Sequence, residues 1–85
     1  MSELQTYTIG RQDGCEIRLA DKSVSRRHAE LVRGHSGKLL LMDCNSSLGT
    51  FVHGDQGWAR IRQAEVRKAD RVRFGDYETV AGELI

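Results

Sequence analysis

The sequence contains no proline, few aromatic residues and no long hydrophobic segment. Aromatic residues make up 6% of the chain, which argues against a surface that stacks nucleic-acid bases. The longest uninterrupted apolar run is Leu39-Leu40-Leu41-Met42, far short of the roughly 20 residues that a membrane-spanning helix needs. The N-terminus also lacks an apolar signal-peptide core, so we expect a cytoplasmic protein with no membrane partner.

Cysteine and net charge are also scarce. The two cysteines, Cys15 and Cys44, lie far apart, and neither belongs to a Cys-x-x-Cys or Cys/His cluster. Reduced thiols and no metal site are therefore expected. Lysine and arginine number 13 against 12 acidic residues, a formal net charge of +1 that gives no global attraction to nucleic acid. Any electrostatic function must be local.

The chain of 85 residues is long enough to enclose one hydrophobic core. Hydrophobic residues at 39% and charged residues at 29% are ordinary for a globular domain. We find no repeat, linker or low-complexity stretch in the sequence. We therefore expect residues 1–85 to form a single domain.

Several short segments alternate apolar and charged residues with a period of two. Ile17 and Leu19 alternate with glutamate and arginine, and Val72 and Phe74 alternate with two arginines. Turn signals such as Gly75-Asp76 separate these segments at short intervals. The pattern predicts an antiparallel all-β domain, either a sandwich or a barrel.

Nine strands are predicted from this pattern. They are Gln5–Ile9, Glu16–Leu19, His28–Arg33, Lys38–Asp43, Thr50–His53, Trp58–Ile61, Ala64–Arg67, Arg71–Phe74 and Glu78–Leu84. Helices remain an alternative for Val24–Val32 and Ile61–Val72, which contain no proline to forbid them. In the first of these segments, Val24, His28 and Leu31 would share one helical face.

Three spaced elements of the sequence carry polar residues suited to binding phosphate. Gly10-Arg11 follows the first predicted strand, Ser25-Arg26-Arg27-His28 enters the third, and residues 43–54 (DCNSSLGTFVHG) span a loop and the next strand. The guanidinium of Arg11 offers a fork of donors that matches phosphate oxygens. Taken alone, however, Arg11 is most simply interpreted as a solvated arginine.

The order and spacing of these elements resemble the forkhead-associated (FHA) family. Its signature runs approximately Gly-Arg, Ser-x-x-His and Ser-x-Asn-Gly-Thr-x-Val-Asn-Gly, and residues 69–76 (ADRVRFGD) resemble its later Gly-Asp-x-x-x-Phe-Gly segment. The resemblance runs from Thr8 to the C-terminus and implies a small β-sandwich of two antiparallel sheets. The family commonly has further strands before its Gly-Arg element, so the N-terminal strands look short or missing. A missing strand would expose a sheet edge, which can pair with a second copy. We therefore expect a monomer or a protein that self-associates weakly.

The resemblance implies a phosphopeptide-binding site built from residues of all three elements. These are Arg11, Ser25, Arg26, Arg27, Ser47 and Leu48. In the family, the arginine and the first serine contact the phosphate, and Ser47 falls where a small residue adds a hydroxyl. Arg26 and Arg27 would add charge-assisted hydrogen bonds, with Arg26 ranked first because alternation along a strand turns only one of them toward the site.

Pattern alone does not bring these loops together. In a simple up-and-down meander, the loops after Ile9 and Leu19 would lie at opposite ends of the sandwich. The resemblance implies instead a short crossing strand, so that the three loops share one edge.

Three further residues have structural roles by resemblance. Gly10 and Gly49 permit tight turns, and His28 hydrogen-bonds between loops and holds the serine in place. A histidine three residues after a serine is also compatible with an enzyme. However, Ser25 has no nucleophile elbow around it, and no acid is identifiable that would orient His28. We expect neither an enzyme nor a cofactor.

Leu48 departs from the family pattern, which has an asparagine there whose side-chain amide grips the peptide backbone. Leucine can neither donate nor accept a hydrogen bond. Two lost hydrogen bonds, at about 1 kcal/mol each, would weaken binding on the order of tenfold or more. His53 likewise replaces the family's second asparagine, at a position that belongs to turn structure.

The function implied by the resemblance is recognition of phosphothreonine on a partner protein, either a Ser/Thr kinase or its substrate. The alternative is a scaffold of the same fold that binds proteins without phosphorylation or self-assembles, which Leu48 and the short N-terminus favour. Nucleic-acid binding through the basic stretch from Arg60 to Arg73 is not expected. Its arginines alternate with apolar residues as on a solvated strand face, and no aromatic residue interleaves them.

Overall fold

The computed structural model describes residues 4–85, which form nine β-strands and two single turns of 3-10 helix. The strands are β1 (Gln5–Gly10), β2 (Ile17–Arg18), β3 (Ala29–Arg33), β4 (Leu39–Asp43), β5 (Thr50–Gly54), β6 (Gly57–Ile61), β7 (Gln63–Val66), β8 (Arg71–Phe74) and β9 (Tyr77–Val80). The 3-10 turns are His35–Gly37 and Ala81–Glu83. No helical segment in this part of the chain is long and apolar enough to cross a membrane.

The strands form two sheets. The first has the order β2-β1-β3-β4-β7, and the second has the order β6-β5-β8-β9. Strand pairing is antiparallel throughout, except between β1 and β2. The predicted all-β fold with two sheets is therefore confirmed, with one parallel pair at the edge of the first sheet.

Period-two alternation places one face of each sheet in a shared core. Ile9, Leu31 and Leu41 from the first sheet and Val72 and Phe74 from the second are fully buried. Removal of this apolar surface from water is the main force that holds the two sheets together. Because Phe74 ends β8, the core extends to the end of the sandwich where the β8–β9 turn lies.

The parallel pair of β1 and β2 determines where the first two loops emerge. Ile9 pairs with Ile17 and Gly10 with Arg18. A parallel connection usually needs a dozen or more residues, but here only two residues of β2 pair, so the short segment 11–16 is sufficient. Both strands run in the same direction, and the loops that follow them leave the sheet at the same end.

Two further connections reach this end of the sandwich. Ala29 pairs with Ile9 on one side and with Asp43 on the other, so the end of β4 lies beside the start of β3. In the second sheet, Thr50 pairs with Phe74, which places the start of β5 beside the β8–β9 turn. The loops that an up-and-down order would separate therefore share one edge.

Each of the nine predicted strands overlaps a strand of the structure. The helical alternatives for Val24–Val32 and Ile61–Val72 are wrong, because β3 is hydrogen-bonded on both sides and β7 pairs with β4. The predicted strand Glu78–Leu84 is too long at its C-terminal end. The chain leaves β9 after Val80 and enters a 3-10 turn.

Candidate functional site

Ser25 connects three loops at this end of the sandwich. Its carbonyl oxygen accepts a hydrogen bond from the Arg11 N–H at 3.0 Å, and its Oγ accepts one from the Ser47 N–H at 3.1 Å. Arg11 and Ser47, which are distant in sequence, are thereby held on either side of Ser25. Because Ser25 Oγ serves as the acceptor toward Ser47, its own hydroxyl proton remains available for a ligand.

His28 fixes the position of Ser25 from the core. Its Nδ1 accepts a hydrogen bond from the Ser25 N–H at 3.0 Å, and its Nε2 lies 2.8 Å from the Gly49 carbonyl oxygen. Since a carbonyl can only accept, Nε2 carries the proton and the ring is neutral. Burial lowers the pKa of His28, outweighing the Gly49 carbonyl and the Asp43 charge, which raise it. Both ring nitrogens are bound to backbone groups, so neither is free to act as a general base.

Asp43, which sequence reasoning did not single out, organises the loop between β4 and β5. Its carboxylate accepts hydrogen bonds from the Ser46 N–H at 3.1 Å, the Ser46 hydroxyl at 2.5 Å and the Thr50 hydroxyl at 2.7 Å. Burial raises the pKa of Asp43, but these hydrogen bonds outweigh it and hold the pKa below its ordinary value. The signal in the sequence is an aspartate followed by a serine three residues later, a common local side-chain-to-backbone motif.

The two glycines named above are required for different reasons. A Cβ on Gly10 would lie 2.0 Å from the Arg26 carbonyl oxygen, so close approach of two backbones explains this glycine. Gly49 has a φ of +96°, which favours glycine. The Gly49 carbonyl accepts hydrogen bonds from both His28 and the Gly75 N–H. Gly49 therefore links the β4–β5 loop to the β8–β9 turn.

The three candidate arginines differ in their contacts. Arg11 is exposed and donates from Nε to the Val24 carbonyl at 3.0 Å, which orients its guanidinium. Within residues 4–85, no ion pair or hydrogen bond occupies the terminal amino groups of Arg11. Arg27 instead pairs with Glu30 at 3.7 Å. Arg26 is exposed in the same loop and forms no ion pair within residues 4–85.

Leu48 lies on the surface of the site, with 52% of its area exposed. It presents an apolar side chain where the family pattern would place an amide. The neighbouring Gly49 is covered by the side chain of Arg60, because a Cβ on Gly49 would lie 2.6 Å from Arg60 Nε. Sequence reasoning did not place Arg60 at this site, since its position depends on the pairing of β5 with β6.

The two cysteines lie close to these loops and are free thiols. The Sγ of Cys15 donates to the Arg26 carbonyl at 3.3 Å, and the Cys44 N–H donates to the His28 carbonyl at 2.9 Å. Burial, and next the charge of Glu30, raise the pKa of the Cys44 thiol. Cys44 is therefore a protonated thiol at neutral pH and a poor nucleophile.

The site is an open surface rather than a deep pocket. A surface cavity of about 650 Å³ lies at the opposite end of the sandwich, between the 3-10 turn at Ser36 and the β7–β8 connection at Asp70. At the loop end, Arg11 and Ser47 are exposed and Ser25 is half-buried, so one guanidinium and two serine hydroxyls lie at the surface. This arrangement of hydrogen-bond donors is chemically suited to a small anionic group.

A family model described as FHA domain matches residues 7–75. The FHA domain-containing protein FhaA of Mycobacterium tuberculosis is 36% identical over 72 residues, which cover 85% of this chain and 13% of that protein. The oxoglutarate dehydrogenase inhibitor of Corynebacterium glutamicum is 35% identical over 75 residues, which cover 88% of this chain and 49% of that protein. The chain thus spans less than half the length of these curated relatives.

Solved structures show the same fold. The FHA domain of CT664 from Chlamydia trachomatis has a TM-score of 0.79 and 27% identity, over 89% of this chain and 73% of that chain. A structure from a study of phosphothreonine-dependent FHA domain interactions has a TM-score of 0.76 and 35% identity, over 88% of this chain and 73% of that chain. These similarities confirm the β-sandwich that the resemblance to the FHA family implies.

Proposed function

The chain belongs to the FHA domain family, and from this membership we propose that it is an interaction module that binds phosphothreonine on a partner protein. The observation that carries the proposal is the meeting of Arg11, Ser25 and Ser47, held by the two hydrogen bonds to Ser25. A relative with 35% identity has been studied for phosphothreonine-dependent interactions, which supports the same ligand class here.

The chemistry of the site suits a phosphate group. A phosphothreonine carries a charge of about −1.5 to −2 and three strong acceptor oxygens. Arg11 supplies a charge-assisted fork, and the hydroxyls of Ser25 and Ser47 supply neutral donors. The carboxylate of Asp43 is already occupied, since it accepts from Ser46 and Thr50 within its own loop. It therefore does not compete with a phosphate for the same donors.

The proposed role is non-catalytic. FHA domains are interaction modules, and one relative is named as an inhibitor. His28 is committed to the backbone through both ring nitrogens, and the thiol of Cys44 is held protonated. The partner in this proposal is a cytoplasmic Ser/Thr kinase or its phosphorylated substrate, bound with modest affinity because the peptide must become ordered.

A scaffold that binds proteins without phosphorylation is the second candidate, and the exposed Leu48 is the observation that favours it. An apolar side chain at the surface of the site adds no donor or acceptor for a peptide backbone. It does add apolar surface, which stabilises contact with an unmodified apolar partner. The two candidates differ in whether phosphate is required.

The test is a calorimetric titration with degenerate phosphothreonine, phosphoserine and unphosphorylated peptide libraries. We expect saturable binding to phosphothreonine alone. Arg11→Ala should weaken it by roughly ten- to a hundredfold, since a charge-assisted hydrogen bond contributes about 1.5–3 kcal/mol. Arg67→Ala, which removes an exposed arginine at the far end of the sandwich, is the matched control and should change little.

Leu48→Asn gives the proposal a gain-of-affinity test. An amide restored beside the phosphate should tighten phosphothreonine binding on the order of tenfold, through two hydrogen bonds of about 1 kcal/mol each. A natural partner that is captured equally well before and after phosphatase treatment would contradict the phosphothreonine proposal. Such a result, with Arg11→Ala also without effect, would establish the scaffold.

A further inference from the structure

The outer face of the second sheet carries a cluster of arginines and aromatic rings that the phosphothreonine site does not use. Cross-strand pairing sets Phe51 of β5 opposite both Arg60 and Arg73, and sets His53 opposite Trp58. Side chains two apart on a strand share a face, so Arg71 joins Arg73. We call this surface the arginine face. Its members are Phe51, His53, Trp58, Arg60, Arg71 and Arg73.

The guanidinium groups of this face are held by the rings beneath them. Arg73 lies 4.2 Å from the ring centroid of Phe51 and 5.0 Å from that of Trp58, and Arg71 lies 5.3 Å from that of Trp58. Stacking of this kind is favourable and leaves the donor edge of a guanidinium free for hydrogen bonds. The guanidinium of Arg73 is therefore positioned before any ligand arrives, whereas that of Arg71 is also held by its ion pair with Glu78.

Positive charge on this face is only partly neutralised. Glu78, which pairs with Arg71 at 2.5 Å, is the only carboxylate within the four strands of the second sheet. Within residues 4–85, Arg60 and Arg73 form no ion pair. Arg73 Nε is also the one buried side-chain polar atom of the described residues with no hydrogen-bond partner. Because Arg73 Nε is buried, only the terminal amino groups of Arg73, together with the guanidinium of Arg60, remain without a carboxylate partner among the described residues of this face.

In the linear sequence, no aromatic residue lies among the arginines of this basic stretch. In the folded domain, however, aromatic rings do lie among them. Phe51 and Trp58 come from neighbouring strands and lie among the arginines of β6 and β8. Even so, guanidinium groups already lie over both rings, so the ring faces are not open for stacking bases. The terminal donors of Arg60 and Arg73, which form no ion pair within residues 4–85, instead match carboxylates, which bind arginine in a bidentate manner.

We propose that the arginine face is a second docking surface, which binds a segment rich in aspartate or glutamate on a partner protein without requiring phosphorylation. The face adjoins the phosphothreonine site, because Arg60 covers Gly49 in the β4–β5 loop. One partner polypeptide can therefore occupy both surfaces. Tryptophan and arginine at the centre of such a face are also the residues that most often dominate interface energetics.

Trp58 provides a direct measurement, because it is the only tryptophan in the chain. The intact domain is titrated with an unphosphorylated glutamate oligomer, and intrinsic fluorescence is recorded, with a lysine oligomer as the charge control. We expect a saturable change in Trp58 fluorescence with glutamate alone. The apparent affinity should fall as the salt concentration rises from about 0.05 M to about 0.5 M, because added ions screen exposed charges.

Substitutions locate the binding. Arg71→Gln with Arg73→Gln should weaken glutamate binding by about tenfold. The matched control, Arg67→Gln with Lys68→Gln, removes the same charge from an exposed turn elsewhere and should change it by less than about twofold. Glu78→Gln should tighten binding by about twofold or more, because it removes the competing carboxylate. Arg11→Ala should leave glutamate binding unchanged, so failure at this face is separable from failure at the phosphothreonine site.

Several results would overturn the proposal. These are an unchanged Trp58 signal, equal weakening in the Arg67→Gln/Lys68→Gln control, or stronger binding to a single-stranded oligonucleotide or to anionic phospholipid vesicles than to the glutamate oligomer. If the Arg71→Gln/Arg73→Gln protein does not fold by circular dichroism, the Glu78→Gln protein decides. Unchanged or weaker affinity in a folded Glu78→Gln variant would refute the role of this face.

Discussion

Replacement of His28 by leucine is expected to destabilise the domain while keeping apolar volume against Phe74. The imidazole connects two loops, since Nδ1 accepts from the Ser25 N–H and Nε2 donates to the Gly49 carbonyl. Its ring also packs edge-on to Phe74, with centroids 5.6 Å apart. Leucine can retain the packing and can make neither hydrogen bond. The substitution therefore isolates the polar contribution of a buried histidine.

The size of the effect follows from the two groups that lose a partner. The Ser25 N–H loses its acceptor, at a cost of about 1–3 kcal/mol for an unsatisfied donor. The Gly49 carbonyl keeps its hydrogen bond from Gly75, so its loss is about 1 kcal/mol. The sum, roughly 2–4 kcal/mol, is a large part of the roughly 4–13 kcal/mol expected for a domain of this length.

The same substitution should change how stability depends on pH. Burial lowers the pKa of His28 in the folded protein below the ordinary value of 6.5, so the unfolded chain binds the proton more readily. The histidine's contribution is therefore complete above pH 6.5 and is lost as the pH falls toward the folded-state pKa. The stability difference between the native protein and His28→Leu should shrink from about pH 7.5 to about pH 5.5.

Urea unfolding followed by Trp58 fluorescence measures both effects, provided that the slope of the transition is unchanged. His35→Leu is the matched control, because His35 is exposed in a 3-10 turn at the other end of the sandwich. A loss below about 1 kcal/mol for His28→Leu, or a stability difference that does not vary with pH, would show that the two hydrogen bonds are not what His28 contributes.

Two further predictions concern the loops themselves. Gly10→Ala should lower the free energy of unfolding by about 2 kcal/mol or more, because its Cβ would lie 2.0 Å from the Arg26 carbonyl oxygen. The matched control is Gly54→Ala, whose Cβ would have nothing within 4 Å. In the same urea assay it should change stability by less than about 1 kcal/mol. Equal losses would refute the close-approach argument. Asp43→Ala should lower the free energy of unfolding by about 3 kcal/mol, because three hydrogen bonds are lost. The pKa of Asp43 is lowered in the folded protein, so its carboxylate loses its contribution as the pH falls below about 4. Stability should therefore vary less with pH in this range in Asp43→Ala than in the native protein. An acid-unfolding curve that is unchanged in Asp43→Ala would show that the carboxylate is not the group responsible.

Local pattern located all nine strands approximately, but it left a helix as an alternative for two segments. Alternation along β8 put Val72 and Phe74 on the buried face and Arg71 and Arg73 on the other, as the structure shows. The segment Val24–Val32 was ambiguous because three of its residues also fit a helical period. Pairing of β3 with both β1 and β4 resolved that ambiguity, and such pairing depends on residues far away in the chain.

The residues of the candidate site could be predicted from the sequence, but the hydrogen bonds that connect them could not. Motif order identified Arg11, Ser25 and Ser47, but only the structure shows that Ser25 bridges the other two. Asp43 was missed as the acceptor that shapes the β4–β5 loop. Arg60 was missed at the site because its contact with Gly49 arises from cross-strand register.

The sequence by itself determined where most of the strands lie, which of their side chains face the core, and which loops carry phosphate-binding residue types. These properties depend on neighbours two to four positions away, so periodicity and motif spacing contain them. The tertiary structure decided which strands are neighbours. The parallel pairing of β1 with β2 brings the loops together at one end, and the pairing of β5 with β6 and β8 builds the arginine face. Alternation gives each strand two faces but carries no information on which strand lies beside it.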